Sequence, residues 1–179
     1  MKRGTGLTTR TECSDIPVSY FHRALALEYV SMQNVTALYL DQGEMLYVNG
    51  RPQEILNQWC LASGSSLSGR IDSLKALTSI RSKYPVMINE TTMRMFFPMR
   101  SMNYEQDNTW LCDDMILDLS PRERESTAIL FSSGFSLEIP YDIRMIRRQQ
   151  ENCRLYRQKL LDSRMHASLE PADLTDRLN

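Results

Sequence analysis

The chain reads as an α+β protein: a small antiparallel sheet built from hairpins, two short central helices and a longer C-terminal helix. Three observations predict this. Strand-like runs come in pairs around short turns, most clearly Thr127 to Phe131 and Phe135 to Ile139 about Ser132-Ser133-Gly134. In the middle of the chain apolar residues recur at helical spacing, first at Ile55, Leu56, Trp59 and Cys60, then at Leu67, Ile71, Leu74 and Thr78. From Tyr141 to Met165 the helical period is sustained, with Ile143, Ile146, Cys153, Tyr156 and Leu160 on one side.

Taken in order, residues 1–17 are polar and Thr-rich and are expected to form a flexible arm. Val35 to Leu40 and Met45 to Val48 flank Asp41-Gln42-Gly43-Glu44, a hairpin signal. Pro52 suits the first turn of the helix that follows. Gly64-Ser65-Ser66 punctuates the chain, and Ser65 or Ser66 can cap the second helix. Pro85 to Ile88 and Met93 to Pro98 read as a β pair. Trp110 and Ile116 to Leu119 read as further strands, followed by a turn at Ser120-Pro121. Residues 166–179 are polar, contain Pro171 and are expected to fray. The expected division is therefore an arm (1–17), one domain (18–165) and a tail (166–179).

At 179 residues the chain can bury a core without staples, and 42% hydrophobic with 24% charged residues argues against disorder. No apolar run is long enough to span a membrane, and none follows Lys2, Arg3 and Arg10 as a signal peptide requires. The chain reads as cytoplasmic. Cys13, Cys60, Cys112 and Cys153 are widely spaced, with no CxxC pair and only His22 and His166 to supplement them. Free, mostly buried thiols are expected, with no metal site and no cofactor. No Ser/His/Asp set or paired carboxylate stands out, and Asp113-Asp114 reads as a solvated loop.

The net charge of −1 conceals a segregation. Residues 64–100 carry six basic side chains (Arg70, Lys75, Arg81, Lys83, Arg94, Arg100) against Asp72 and Glu90. Residues 101–140 carry only Arg122 and Arg124 against eight acids, and residues 141–166 carry seven basic against three acidic groups. Two basic blocks around an acidic one can present a positive strip to a polyanion, with the acidic region turned away. On the C-terminal helix the arginines Arg144, Arg147, Arg148, Arg154 and Arg157 read first as a solvated face. Arg70 and Arg81 would share an azimuth if the second helix reached residue 81. Trp110, Tyr104 and Phe96-Phe97 could stack on bases, but aromatics at strand spacing are first of all core.

Gly64-x-x-x-x-Gly69-Arg70 has the spacing of a phosphate-binding P-loop. Its chemistry differs: Arg70 replaces the lysine, Ile71 stands where a Mg²⁺-binding hydroxyl is needed, and a helix rather than a strand precedes it. A capped turn between two helices accounts for the residues. Ser and Gly beside a helix N-terminus, with Arg following, could also grip nucleic-acid phosphates.

Tyr47-Val48-Asn49, Pro52, Ile55 and Cys60, then Gly64-Ser65-Ser66 and Gly69-Arg70, resemble the ComK family of competence transcription factors. The blocks continue in order with Pro85-Val86-Met87-Ile88, Phe97-Pro98 with Ser101, Trp110, and Leu137-Glu138-Ile139-Pro140. The resemblance runs from about Val35 to Arg157. Leu67 and Met99 depart from it, standing where an aromatic and a Thr are usual. The resemblance implies a cytoplasmic transcriptional activator of DNA-uptake genes, not an enzyme. Such a protein binds double-stranded A·T-rich promoter boxes mainly through the minor groove. The implied partners are DNA, RNA polymerase, further copies of itself as a homo-oligomer, and an adaptor that delivers it to a Clp-type protease. On this reading Arg70 is the first-choice minor-groove contact, and Ser65, Ser66 and Gly69 supply phosphate contacts. Arg81, Lys83 and Arg100 are outer candidates from charge position. The alternative is a diverged regulator that keeps the fold and acts through protein contacts of its acidic block, with little DNA affinity.

Overall fold

A computed structural model describes residues 10–100 and 107–169. Its strands are β1 (Arg10–Thr11), β2 (Ala24–Val30), β3 (Val35–Leu40), β4 (Met45–Asn49), β5 (Val86–Asn89), β6 (Arg94–Pro98), β7 (Thr109–Cys112), β8 (Ile116–Pro121), β9 (Thr127–Phe131) and β10 (Ser136–Ile139). The α-helices are α1 (Pro52–Ala62), α2 (Leu67–Leu77) and α3 (Ile143–Leu169). The class and the helices match the sequence reading. The strands form two sheets instead of one: a seven-stranded sheet in the order β1-β4-β3-β2-β7-β6-β5 and a three-stranded meander β10-β9-β8. All pairings are antiparallel except β1 with β4.

The strand that joins the two halves of the large sheet is β2, which pairs with β3 on one side and β7 on the other. It is a continuous apolar run (Ala24, Leu25, Ala26, Leu27), covered on both faces, so it lacks the polar alternation that marks a half-buried strand. A register shift between Ala24 and Ala26 places Ala24 and Leu27 on one face and Leu25 and Ala26 on the other.

Period-two alternation sorts the sheet's side chains into two cores. Leu38, Val86, Ile88, Phe96 and Trp110 face α1 and the start of α2, packing on Ile55, Trp59, Leu67 and Ile71. Met87, Met95, Phe97 and Leu111 face the meander and α3, packing on Ile129, Phe131, Ile146, Cys153 and Tyr156. The large sheet is thus the middle of three layers. Leu74 of α2 belongs to the second core, and Tyr156 Oη lies 3.2 Å from Ser73 Oγ, so α2 meets α3.

Several local expectations change. Arg10–Thr11 pairs with β4, and Ile16 is 5% exposed in the first core, so the described part of the expected arm is docked. Residues 1–9 lie outside the described residues. Ser120-Pro121 ends β8 as strand, where Pro is tolerated because β8 is an edge. Helix α3 runs to Leu169, past the expected limit, and the tail beyond it falls outside the described residues.

Candidate nucleic-acid interface

The Gly-Ser element folds as a helix-to-helix turn. Gly64 adopts φ +89 just past α1, where its N–H donates to Leu61 O (3.1 Å) and the Ser65 N–H donates to Cys60 O (3.1 Å). These two bonds make a Schellman C-cap, which requires a left-handed residue at that place. Ser66 is the N-cap of α2: its Oγ accepts from Gly69 N–H at 3.0 Å. A Cβ on Gly69 would sit 2.8 Å from Ser65 Oγ and 3.3 Å from the capping Ser66 Oγ, so the second glycine makes room for both serines. Asn57 Oδ1 accepts from Leu67 N–H at 2.9 Å and ties the turn back to α1. The P-loop-like spacing is accounted for by the two ends of two helices.

Arg70, the first choice for a minor-groove contact, is buried at 6% exposure. Its Nη1 pairs with Glu90 in the β5–β6 turn, and its Nη2 donates to Ser63 O at 3.0 Å. With Ser63 ending α1, Arg70 fastens α2, the turn and the β5–β6 hairpin together. It presents no guanidinium surface to a phosphate. Helix α2 stops at Leu77, where Thr78 turns extended, so Arg70 and Arg81 share no helix face.

The outer candidates come together instead. Arg81 and Lys83 follow α2, Arg100 follows β6, and Arg148 projects from α3. Arg81, Lys83 and Arg148 line one open groove of about 510 Å³ between the 79–83 segment and α3, with Ser82, Gln149 and Asn152. None of the residues lining it is acidic. A second groove, of about 440 Å³, shares Lys83 and Met145 with the first and is bordered by Arg100, Arg124 and Tyr141. Glu125 and Asp142 also border it, so the separation of acid from base expected from the sequence is incomplete there. Arg100 Nε donates to Tyr141 Oη at 3.3 Å, with its guanidinium 5.6 Å from the ring centroid. Lys83 is held below the usual lysine pKa, first by burial and then by Arg100 and Arg148. Among the described residues neither Arg81, Lys83 nor Arg148 forms an ion pair.

The two basic blocks therefore meet in space. Arg148, read first as part of a solvated helix face, joins the groove, as does Gln149, which is 5% exposed. A glutamine inside the apolar spacing Ile146, Gln149, Cys153, Tyr156 is the sequence signal that could have singled it out. Arg157 has a structural place instead: it pairs with Asp113 (3.2 Å) and Asp114 (2.7 Å). Asp114 also accepts from Met95 N–H at 2.9 Å, so this acidic pair anchors α3 rather than forming a solvated loop. Burial pushes the Asp113 carboxyl above its ordinary pKa despite Arg157 beside it. Phe96, Phe97 and Trp110 are fully buried, which removes them as stacking platforms, and Tyr104 lies outside the described residues.

Fold and groove together define an α+β domain with a cationic surface at the junction of α2, β6 and α3, without a candidate metal cluster among the described residues. The chain belongs to the ComK family: the family model described as ComK protein matches residues 22–165. It is also similar to the competence transcription factor of Bacillus subtilis (strain 168), 29% identical over 96 residues, which is 54% of this chain and 50% of that protein. The chain thus matches about half the length of that relative. No solved structure matches it. No helix among the described residues is long and apolar enough to cross a membrane.

Proposed function

We propose that this protein is a DNA-binding regulator of competence genes, and that Arg81, Lys83, Arg100 and Arg148 face the phosphate backbone. The observation that carries the reading is the convergence of five cations, Arg124 among them, from distant sequence positions on two adjoining grooves, one without an acidic lining residue. Arg81, Lys83 and Arg148, which form no ion pair among the described residues, repel one another and gain when a polyanion takes the place of their counterions. Membership of the ComK family, and the printed name of its Bacillus relative, support transcription as the setting. Recognition of A·T-rich boxes through the minor groove, assembly into a homo-oligomer, contact with RNA polymerase and adaptor-mediated proteolysis extend the reading along the family resemblance. A narrow A-tract groove favours arginines carried on loops, which describes Arg81 and Arg100 better than buried Arg70. Of the acidic block on which the protein-contact alternative rests, Asp113 and Asp114 are engaged by Arg157, while Asp118, Glu123 and Glu125 stay exposed.

The test is a titration against an A·T-rich duplex carrying paired boxes and a G·C-rich control, across a salt series. Affinity is expected to favour the first and to fall linearly in log Kd against log salt. Lys83→Asn and Arg148→Gln should each weaken binding and reduce the salt slope by about 1. Asn suits residue 83, where φ is +51. Equal affinity for both duplexes removes the A·T preference, and no binding at low salt removes DNA altogether.

A further inference from the structure

We infer that the groove between the 79–83 segment and α3 is a site for a phosphate group, able to take a short polyphosphate anion as well as a strand of DNA. The inference deepens the DNA reading, since it rests on the same groove.

Three features point to an anionic ligand of this size. Arg81, Lys83 and Arg148 enter from two segments without an acid among the lining residues, so charge at the groove centre is uncompensated. Lys83 is half-buried and less basic than usual because of burial and the facing Arg100 and Arg148; a bound dianion would reverse that strain. The third feature is neutral. Gln149 is 95% removed from solvent yet lines the groove, and its Oε1 accepts from Asn152 Nδ2 at 3.4 Å. That orientation leaves the Gln149 Nε2–H₂ donors without a protein acceptor among the described residues. Those donors are not sealed from solvent, so an oxyanion entering the groove beside the three cations can take the place of water on them. The donors come from the 79–83 segment and from α3, with Arg81 and Arg148 exposed, so binding must order their side chains. The groove is several times larger than one phosphate requires, which leaves room for a second phosphoryl group.

Pyrophosphate is the probe, titrated calorimetrically at constant ionic strength against sulfate and chloride. The wild-type chain is expected to bind pyrophosphate at least tenfold more tightly than sulfate. Lys83→Asn and Arg148→Gln should each lower that affinity tenfold or more, and Gln149→Leu, which keeps the volume and removes the donors, several-fold. Arg154→Gln, exposed on α3 outside the groove, should leave it unchanged. Should Gln149→Leu fold poorly by circular dichroism, the Lys83 and Arg148 variants still decide the matter. Pyrophosphate should also raise the apparent Kd for the A·T-rich duplex beyond the effect of matched ionic strength. Salt-dependent duplex binding with no preference for pyrophosphate over sulfate overturns the phosphate site and leaves the DNA reading intact. Pyrophosphate binding lost in the variants, with no duplex binding, sustains the site and overturns the DNA reading.

Discussion

Glu90→Ala is expected to destabilise the protein more than Arg70→Met, although Arg70 is the buried partner of the pair. The Arg70 side chain is 7% exposed and that of Glu90 44% exposed. Arg70 Nε already has no hydrogen-bond partner. Removing Glu90 therefore leaves a buried cation held only by Ser63 O, at a cost of about 3 kcal/mol. That is the low end for an orphaned buried charge, because the site borders water. Loss of the Arg164–Glu90 pair adds little, since both side chains are largely exposed. Removing Arg70 instead deletes the cation itself. Glu90 keeps Arg164 and solvent, Met fills much of the stem's space, and the loss is the bond to Ser63 O, about 1–2 kcal/mol. The double variant should resemble Arg70→Met alone, because no cation remains to be orphaned. Urea unfolding monitored by tryptophan fluorescence reads these differences as midpoint shifts at constant slope. In thermal melts Glu90→Ala should fall by roughly 6–12 °C. If Arg70→Met is as stable as wild type yet loses duplex affinity, the structural assignment of Arg70 is refuted and its place as a DNA contact restored.

Two further outcomes follow from the same turn and from the thiols. Gly64→Ala forces a Cβ into φ +89 and should cost about 1–2 kcal/mol, and Ser66→Ala should cost about 1 kcal/mol by uncapping α2; a urea midpoint unchanged in either contradicts the cap geometry. Burial pushes the Cys60 thiol up to about 11 and the Cys112 thiol to about 12, with Cys153 also well above its ordinary value. Because these pKa values are raised in the folded state, their contribution to stability is complete below about pH 9. It is lost as pH rises toward 11–12, at about 1.4 kcal/mol per pH unit for each thiol. Ultraviolet thiolate absorbance should show these cysteines silent at pH 9 in the folded chain and titrating in urea; early titration without urea contradicts their burial.

Local chemistry made the hairpins and helix ends readable, because Gly64, Ser66, Pro52 and the turn at Ser132-Ser133-Gly134 act within a few residues of themselves. The central strand β2 was not readable in the same way. Covered on both faces, it offers no alternation, and a four-residue apolar run fits a buried helix segment as well as a strand. The docking of Arg10–Thr11 on β4 depends on a sheet edge more than thirty residues away. Nothing in the polarity of the segment reports it.

The arginines show why charge position found the groove and misjudged its members. On α3, Arg157 and Arg164 are seven residues apart and so share an azimuth, toward Asp113, Asp114 and Glu90. Arg148 precedes Arg157 by nine residues, which at 3.6 per turn puts it on the opposite flank of the face that carries Ile146, Cys153 and Tyr156. The same helix therefore spends one flank of cations on acids that fix it to the sheet and turns the other toward Lys83. Arg70 follows the logic of the first flank and Arg81 that of the second. Net charge by segment cannot separate the two, because an arginine neutralised by a neighbour and one awaiting a ligand count alike. What separates them is whether an acid from another element lies at the same azimuth. In this chain Glu90, Asp113 and Asp114 supply that acid for the anchoring arginines, and no lining residue supplies it at the groove between the 79–83 segment and α3.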